Sequence, residues 1–239
     1  MCIYPHRYHT RNTIPDRYYI YIIIYIYQEE SIMLVKKSRW VDADKYGYEV
    51  QDVIAFKLTD GEEVQAMAVQ QENDGMVFCL VDCLTDEYSM NDTNSNEDGY
   101  EGSDLRKQLN TEIIARFPAD IKAMMVPFGN GDYLRLPTEK EIFGENHYGE
   151  YESPYVLQWK PMKQRRNRIA FQGKNGNCEW YWLQNKCRYS AVYFASVNDN
   201  GHASCDSASL SNGVRLVFKL QTSRSGKYES GSSTYIQTI

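Results

Sequence analysis

The chain has 239 residues, 42% hydrophobic and 24% charged, with a formal net charge of −6. That size supports one sizeable core, and the acidic balance argues against nucleic acid as the main partner. No apolar run approaches the roughly twenty residues that a bilayer span requires, so no membrane span is expected.

Residues 1–32 read as separate from the domain. Tyr18 to Tyr27, YYIYIIIYIY, is too short to span a bilayer, and no small-residue cleavage site follows it. Alternating Tyr and Ile is what translated AT-rich DNA yields, and Gln28-Glu29-Glu30 is encodable by a purine run of ribosome-binding type. The expectation is a natural start at Met33 after an extension without a fold of its own, then one domain over residues 33–220 and a Ser/Gly-rich tail over 221–239. With no secretion signal, the expected location is a phage particle or the cytoplasm.

Lys36 to Cys83 reads as a small β region. Val50, Val53, Ile54 and Phe56 cluster, Asp60-Gly61 signals a hairpin, and Val64, Ala66 and Ala68 alternate. Asp74-Gly75 marks a second turn before Met76 to Val81, a continuous apolar run suited to a central strand. Cys79 and Cys83 read as small core residues, since no second pair stands at zinc spacing. The acidic stretch Asp86 to Gly102 contains Asp92-x-Asn94-x-Asn96, which resembles the start of a calcium loop. Glu97 and Ser103 stand where an EF-hand needs Gly and Glu, so a solvated loop is expected and no metal.

Ser103 is placed to cap a helix whose buried stripe is Leu105, Leu109, Ile113 and Phe117. Pro118 ends it or starts a second short helix through Ile121, Met124 and Met125. Tyr133 to Leu136 reads as a short strand, and Thr138 with Glu141 as the capping box of a further helix. His147, in a Tyr/Glu/Gly loop over 144–154, reads as a surface residue. Lys160, Lys163, Arg165, Arg166 and Arg168 form a basic run. It is either an anion-binding feature or, more simply, a polar strand face and turn paired with the acidic loop.

The C-terminal part is bounded by apolar strands. Trp180 and Trp182 lie two apart, as do Val214, Leu216, Phe218 and Leu220, which puts each set on one strand face. Between them Arg188 to Asn212 is polar and lacks Lys, Gln, Glu, Met and Trp altogether. Those five make up about a fifth of an ordinary protein, so chance absence over this span is on the order of one per cent. They are also the residues that codons ending in a pyrimidine cannot encode, the mark that adenine-directed mutagenesis of AAC and AAT codons would leave. The order β region, helices, β-rich half predicts an α+β fold.

Several of these segments carry a resemblance. Trp182-Leu183, Ala191, Val197, Gly201 and Gly213-Val214-Arg215 resemble the C-terminal signature of a bacterial and phage domain family. Ser103 to Lys107 with Leu109-Asn110 is similar to its Ser/Thr-x-Leu-Arg-x-x-Leu-Asn helix, and Tyr133 to Pro137 to its strand-to-helix step. The resemblance spans about Val41 to Leu220. It departs where Gln184-Asn185 replaces Arg-Ser or Arg-Thr, which removes a carried-over Arg, and where Leu216 replaces Pro. It implies a C-type-lectin-like fold, related in plan to the variable proteins of diversity-generating retroelements and to formylglycine-generating enzymes.

The function expected is ligand binding, receptor recognition by a variable polar and aromatic surface on a fixed frame. The expected contacts are Tyr181, Gln184, Tyr189, Tyr193, Ser196, Asn198, Asp199, Asn200, His202, Ser204, Asp206, Ser209 and Ser211. Tyr, Ser and Asn suit such a role because they combine rigid amphipathic area with adaptable hydrogen bonds. The partner expected is a protein or glycan on a cell surface, with the oligomeric state open and no cofactor. An invariant carbohydrate or cell-surface binding module is the alternative, with a ligand-free structural virion or surface protein behind it. A formylglycine-type oxidase is disfavoured because Cys178, Cys187 and Cys205 do not reproduce that family's spacing. No Ser-His-Asp order, His-Glu-x-x-His or phosphate loop appears, so catalysis is not expected.

Overall fold

The computed structural model describes residues 39–41 and 47–221. The expectations for residues 1–32 and for the tail after Gln221 lie outside the described residues. Two five-stranded sheets and a few short helices make an α+β architecture.

The first sheet joins β1 (Arg39–Trp40), β2 (Asp52–Lys57), β3 (Glu63–Gln71), β4 (Met76–Leu80) and β12 (Val217–Leu220), in that spatial order. β2 and β3 form the hairpin expected at Asp60-Gly61, where Gly61 takes φ +98°. β3 and β4 turn at Asp74-Gly75. β4 lies between β3 and β12 with all five residues buried, the central strand predicted from its continuous apolar run. Its side chains alternate between two cores. Met76, Phe78 and Leu80 join Leu216, Phe218 and Leu220 on one face, while Val77, Cys79 and Val217 face the other.

The second sheet is built from β10 (Ala203–Ser207), β9 (Tyr193–Val197), β8 (Tyr181–Lys186), β11 (Ser211–Gly213) and β5 (Glu87–Ser89). Trp182 and Phe194 enter the first core, whereas Tyr181, Leu183, Ala195 and Val197 enter the second. The indole N–H of Trp182 donates to the Tyr88 carbonyl at 2.7 Å, so this large ring is buried without an orphaned donor. Trp180 precedes the strand and is only half-buried, so the expected Trp180/Trp182 buried pair is a single tryptophan. Gly213 explains part of the Gly-Val-Arg run. A Cβ there would meet Cys83 Sγ and Glu179 Cγ at 2.7 Å, because β11 approaches β8 closely enough for Gly213 N–H to reach the Trp180 carbonyl.

The helical layer follows the apolar stripe. After the single turn α1 (Gly99–Gly102), α2 (Asp104–Gln108) is capped by Ser103, whose hydroxyl accepts from Arg106 N–H, and continues as a π-turn over Leu109–Ile113. Leu105, Leu109, Ile113 and Phe117 are all buried in the first core. Asn110 sits at the π-turn, donating to Leu134 O and accepting from Tyr133 N–H and Leu134 N–H. The amide therefore does the work of a missing strand partner. Tyr133 to Leu136 is accordingly not the strand expected, but an extended segment with one bridge, Arg135 to Val217. α3 (Ala119–Met124) starts after Pro118, and α4 (Glu139–Phe143) carries the full Thr138/Glu141 capping box and ends on Gly144 at φ +86°.

Cys79 and Cys83 are core residues as expected. Beside them Glu179, on β7 (Cys178–Glu179), which pairs with β6 (Ala170–Phe171), lies against Glu87, and burial, then repulsion from Glu87, raises its pKa above the ordinary carboxylate value. A carboxyl whose folded pKa is raised carries no penalty while both states are protonated. It loses stability as pH climbs from the unfolded value through the raised one. Glu179→Gln should therefore raise Tm at pH 7, and the gain should vanish below about pH 4; thermal melts across pH measure it.

Candidate recognition site

The Arg188 to Asn212 segment is not an open polar loop. It supplies β9 and β10, a five-residue antiparallel hairpin, with β10 at the sheet edge. Two of the expected contact residues are therefore inside. Tyr181 is 0% exposed, its hydroxyl donating to the Arg168 carbonyl at 2.9 Å, and Ser196 is 0% exposed beside Phe194 and Val197. The alternation of a strand buried on both faces leaves no outward side for either. Gln184 is half-buried and donates to Leu136 O at 2.6 Å, so it pins β8 to the helix-entry segment rather than facing a ligand.

The rest divides between the two ends of the hairpin, roughly 17 Å apart for strands of this length. Asn198, Asp199, Asn200 and His202 form the β9–β10 turn, where Asn198 Oδ1 accepts from Asn200 N–H and His202 N–H and Gly201 takes φ +72°. Tyr189, Tyr193, Ser209 and Ser211 lie toward the opposite end, against the 91–96 loop. Ser204 and Asp206 are half-buried on β10 between them, Asp206 accepting from Asn212. One continuous patch made by this segment alone, as expected from sequence, is thus corrected to two clusters with buried residues between them.

The 91–96 loop is solvent-exposed at Asp92, Thr93 and Asn94, as expected, but is anchored at one end. Asn96 is 4% exposed, and its amide donates to the carbonyls of Ser190 and Tyr193, both at 2.7 Å. Those bonds fasten the loop to the hairpin. Among the described residues no group of three His, Cys, Asp or Glu side chains could hold a metal ion.

What the hairpin meets is the Tyr/Glu/Gly loop over 144–154, whose tyrosines were not among the expected contacts. After α4 the chain runs through His147, Tyr148 and Tyr151, and the Glu139 carboxylate holds this loop in place. It accepts from Tyr148 N–H and Gly149 N–H, each at 2.9 Å, and from the Asn146 amide. Gly149 bridges to Cys187, and Arg188 N–H donates to Tyr148 O. The Arg188 guanidinium stacks 4.2 Å from the Tyr151 ring and 5.6 Å from that of Tyr189, with Nη2 donating to His147 O. Tyr151 and Tyr189 are 80% and 90% exposed, and Tyr148 and Tyr193 are about half as open. The signal was available: the 144–154 loop carries two tyrosines in eleven residues, more than twice the Tyr density of Arg188 to Asn212.

At the other end of this loop a cleft of about 630 Å³ opens. Phe143, Glu145, His147 and Tyr148 form one side, and Arg168, His202 and Ala203 the other. The basic run reaches it as two 3₁₀ turns, Lys160–Lys163 and Arg165–Asn167, and not as the strand face expected. It docks on the hairpin turn through Arg165 to Asn200 O and Arg168 to Gly201 O, both at 3.0 Å. The acidic loop has other partners: Arg106 holds Glu101, Lys107 holds Asp104, and Arg116 lies near Asp86.

The structure also brings together two cysteines whose sequence spacing gave no hint. Cys187 and Cys205 share a hydrogen bond, and burial raises both thiols above their ordinary pKa. Both are protonated at neutral pH and are weak nucleophiles in that state. No described helix is long and apolar enough to cross a membrane. Comparison with family models, curated proteins and solved structures finds no match.

Proposed function

We propose that this chain is a ligand-recognition domain of C-type-lectin-like plan that binds a protein or glycan on a cell surface. The recognition face is the one made by Tyr148, Tyr151, Arg188, Tyr189 and Tyr193. The single observation carrying this reading is the stack in which two highly exposed tyrosines flank an Arg188 whose Nε and Nη1 meet no hydrogen-bond acceptor among the described residues. Solvent-facing aromatic rings around a pre-stacked guanidinium are costly to leave bare and are typical of interaction surfaces.

The lectin-like plan is supported by the structural work of the motif residues. Ser103 caps, Asn110 ties the helix to the extended Tyr133–Leu134 backbone, and Trp182, Gly213 and Arg215 lie at the junction of the two sheets. A diversified form of the surface is supported by the codon signature of Arg188 to Asn212. Its accessible positions would be Tyr189, Tyr193, Asn200, His202, Ser209 and Ser211, not the buried Ser196. A near-repeat of those codons differing at adenines, beside a reverse transcriptase in the neighbouring DNA, is its test.

The recognition face is tested by the double variant Tyr151→Ala/Tyr189→Ala against a glycan array and a panel of bacterial cells. Binding should weaken at least about tenfold with Tm unchanged, as for aromatic anchors. Equal binding by the variant would reject the face. The thiol pair favours one other reading, a copper(I) site of oxidase type, since soft thiolates select that ion. Purified protein containing no copper, with function unaffected by Cys187→Ser, would dispose of it.

A further inference from the structure

The cleft beside the tyrosine face is walled by an arginine that has no carboxylate partner among the described residues. Several partly buried cations elsewhere hold a carboxylate: Arg106 holds Asp132, Arg116 holds Glu62, Arg135 holds Glu141, and Lys219 holds Asp74, whereas Arg188 is stacked between tyrosines instead. Arg168 holds none among the described residues. Its Nε and Nη1 donate to the carbonyls of Gly201 (3.0 Å) and Met162 (3.1 Å), and its Cζ lies 5.2 Å from the Phe143 ring. Its Nη2 meets no acceptor among the described residues. Burial lowers its pKa below the ordinary arginine value and Arg165 adds to the fall, with Tyr181 opposing. Arg215 also lacks a carboxylate, but its donors are met inside the core by two carbonyls and a tyrosine hydroxyl. Arg168 instead forms a wall of an open cleft, with His147 and His202 as further walls. The one carboxylate lining it, Glu145, lies 3.6 Å from His147 Nε2.

A guanidinium withdrawn from water without a counter-charge is unfavourable, and its fork geometry suits an oxyanion. The cleft's volume suits a sugar-sized ligand. We propose that this cleft binds the anionic group of a sugar-sized ligand, a carboxylate or a phosphate monoester, with Arg168 as main contact and His147 and His202 as flanking donors. The inference rests on the reading of the adjoining face as a recognition surface.

Isothermal titration of the full chain with glucuronate, glucose 6-phosphate and glucose tests it. At least one anion should bind while glucose does not, and the two anions distinguish a carboxylate from a phosphate source. Arg168→Gln should weaken binding about tenfold or more, the scale of lost charge-assisted hydrogen bonds. Because Arg168 also braces two carbonyls, the exposed His202→Ala serves as a second variant, expected to weaken binding several-fold with Tm unchanged. Binding of neither anion, equal binding of glucose, or wild-type affinity in both variants would overturn the proposal. Anion binding lost in Arg168→Gln, together with cell binding indifferent to Tyr151→Ala/Tyr189→Ala, would keep the cleft and remove the face. The converse pattern would do the opposite.

Discussion

Arg215→Met should lower stability by about 3–5 kcal/mol, a fall in Tm of about 6–20 °C for a domain of this size. Arg215 is 1% exposed, and its guanidinium donates to Leu80 O at 2.7 Å, Asn167 O at 2.9 Å and the Tyr181 hydroxyl at 3.2 Å. Two effects compete. Replacing a buried charge with an apolar side chain removes a desolvation cost, and where the partners leave with it the exchange is often neutral. Here the partners stay. Two backbone carbonyls and a phenol would lose their buried partner, at about 1–3 kcal/mol each, which outweighs the gain. Arg215→Lys should recover only part of the loss, because an ammonium is a point donor and cannot span the same fork. Chemical denaturation of the three proteins measures the order. The bond to Asn167 adds a consequence for the site: it anchors the turn from which Arg168 enters the cleft.

Glu139→Ala should cost about 2–5 kcal/mol and weaken ligand binding, because its carboxylate accepts from the backbone N–H groups of both Tyr148 and Gly149 in the 146–149 loop. Glu139 is fully buried, meets no cation among the described residues, and has its charge met by N–H donors: Tyr148 and Gly149 at 2.9 Å, Asn146 at 3.4 Å. Removing it strands two backbone N–H groups, one of them wholly buried, at about 1–3 kcal/mol each. Glu139→Gln keeps the volume but turns an amide NH₂ toward one of those donors, so about half the loss is expected. Hydrogen exchange should quicken at Tyr148 and Gly149 before the rest of the chain. Exchange unchanged at those two amides would show that the loop is held by something else. With the loop released, His147 and Tyr148 no longer form a wall of the cleft, so affinity should fall further than the stability loss alone implies.

Both residues were present in the sequence, one in the Gly-Val-Arg run and one inside a capping box, yet neither function could be seen there. Local chemistry was legible: the turns at Asp60-Gly61 and Asp74-Gly75, the central strand from Met76, the stripe of Leu105, Leu109, Ile113 and Phe117, and the Thr138 cap. Each depends on residues a few positions apart, whose periodicity and turn preferences act on the backbone directly. The polar composition of Arg188 to Asn212 was equally plain, and it misled. Polarity predicts exposure only on average, and Ser196 is buried because its strand is covered on both faces.

The sequence by itself determined that this is an α+β chain, which residues form its central strand and helical stripe, and that a polar segment over Arg188 to Asn212 is bounded by apolar strands. Only the tertiary structure decided which polar residues share a surface. Tyr148 and Tyr151 lie some forty positions before Arg188 and Tyr189, and Arg168 over thirty before His202. Such contacts arise from Glu139 and Asn96 bonding to distant backbone and from the docking of one sheet against another. These bonds leave no periodic trace along the chain, because their partners are set by packing and not by spacing.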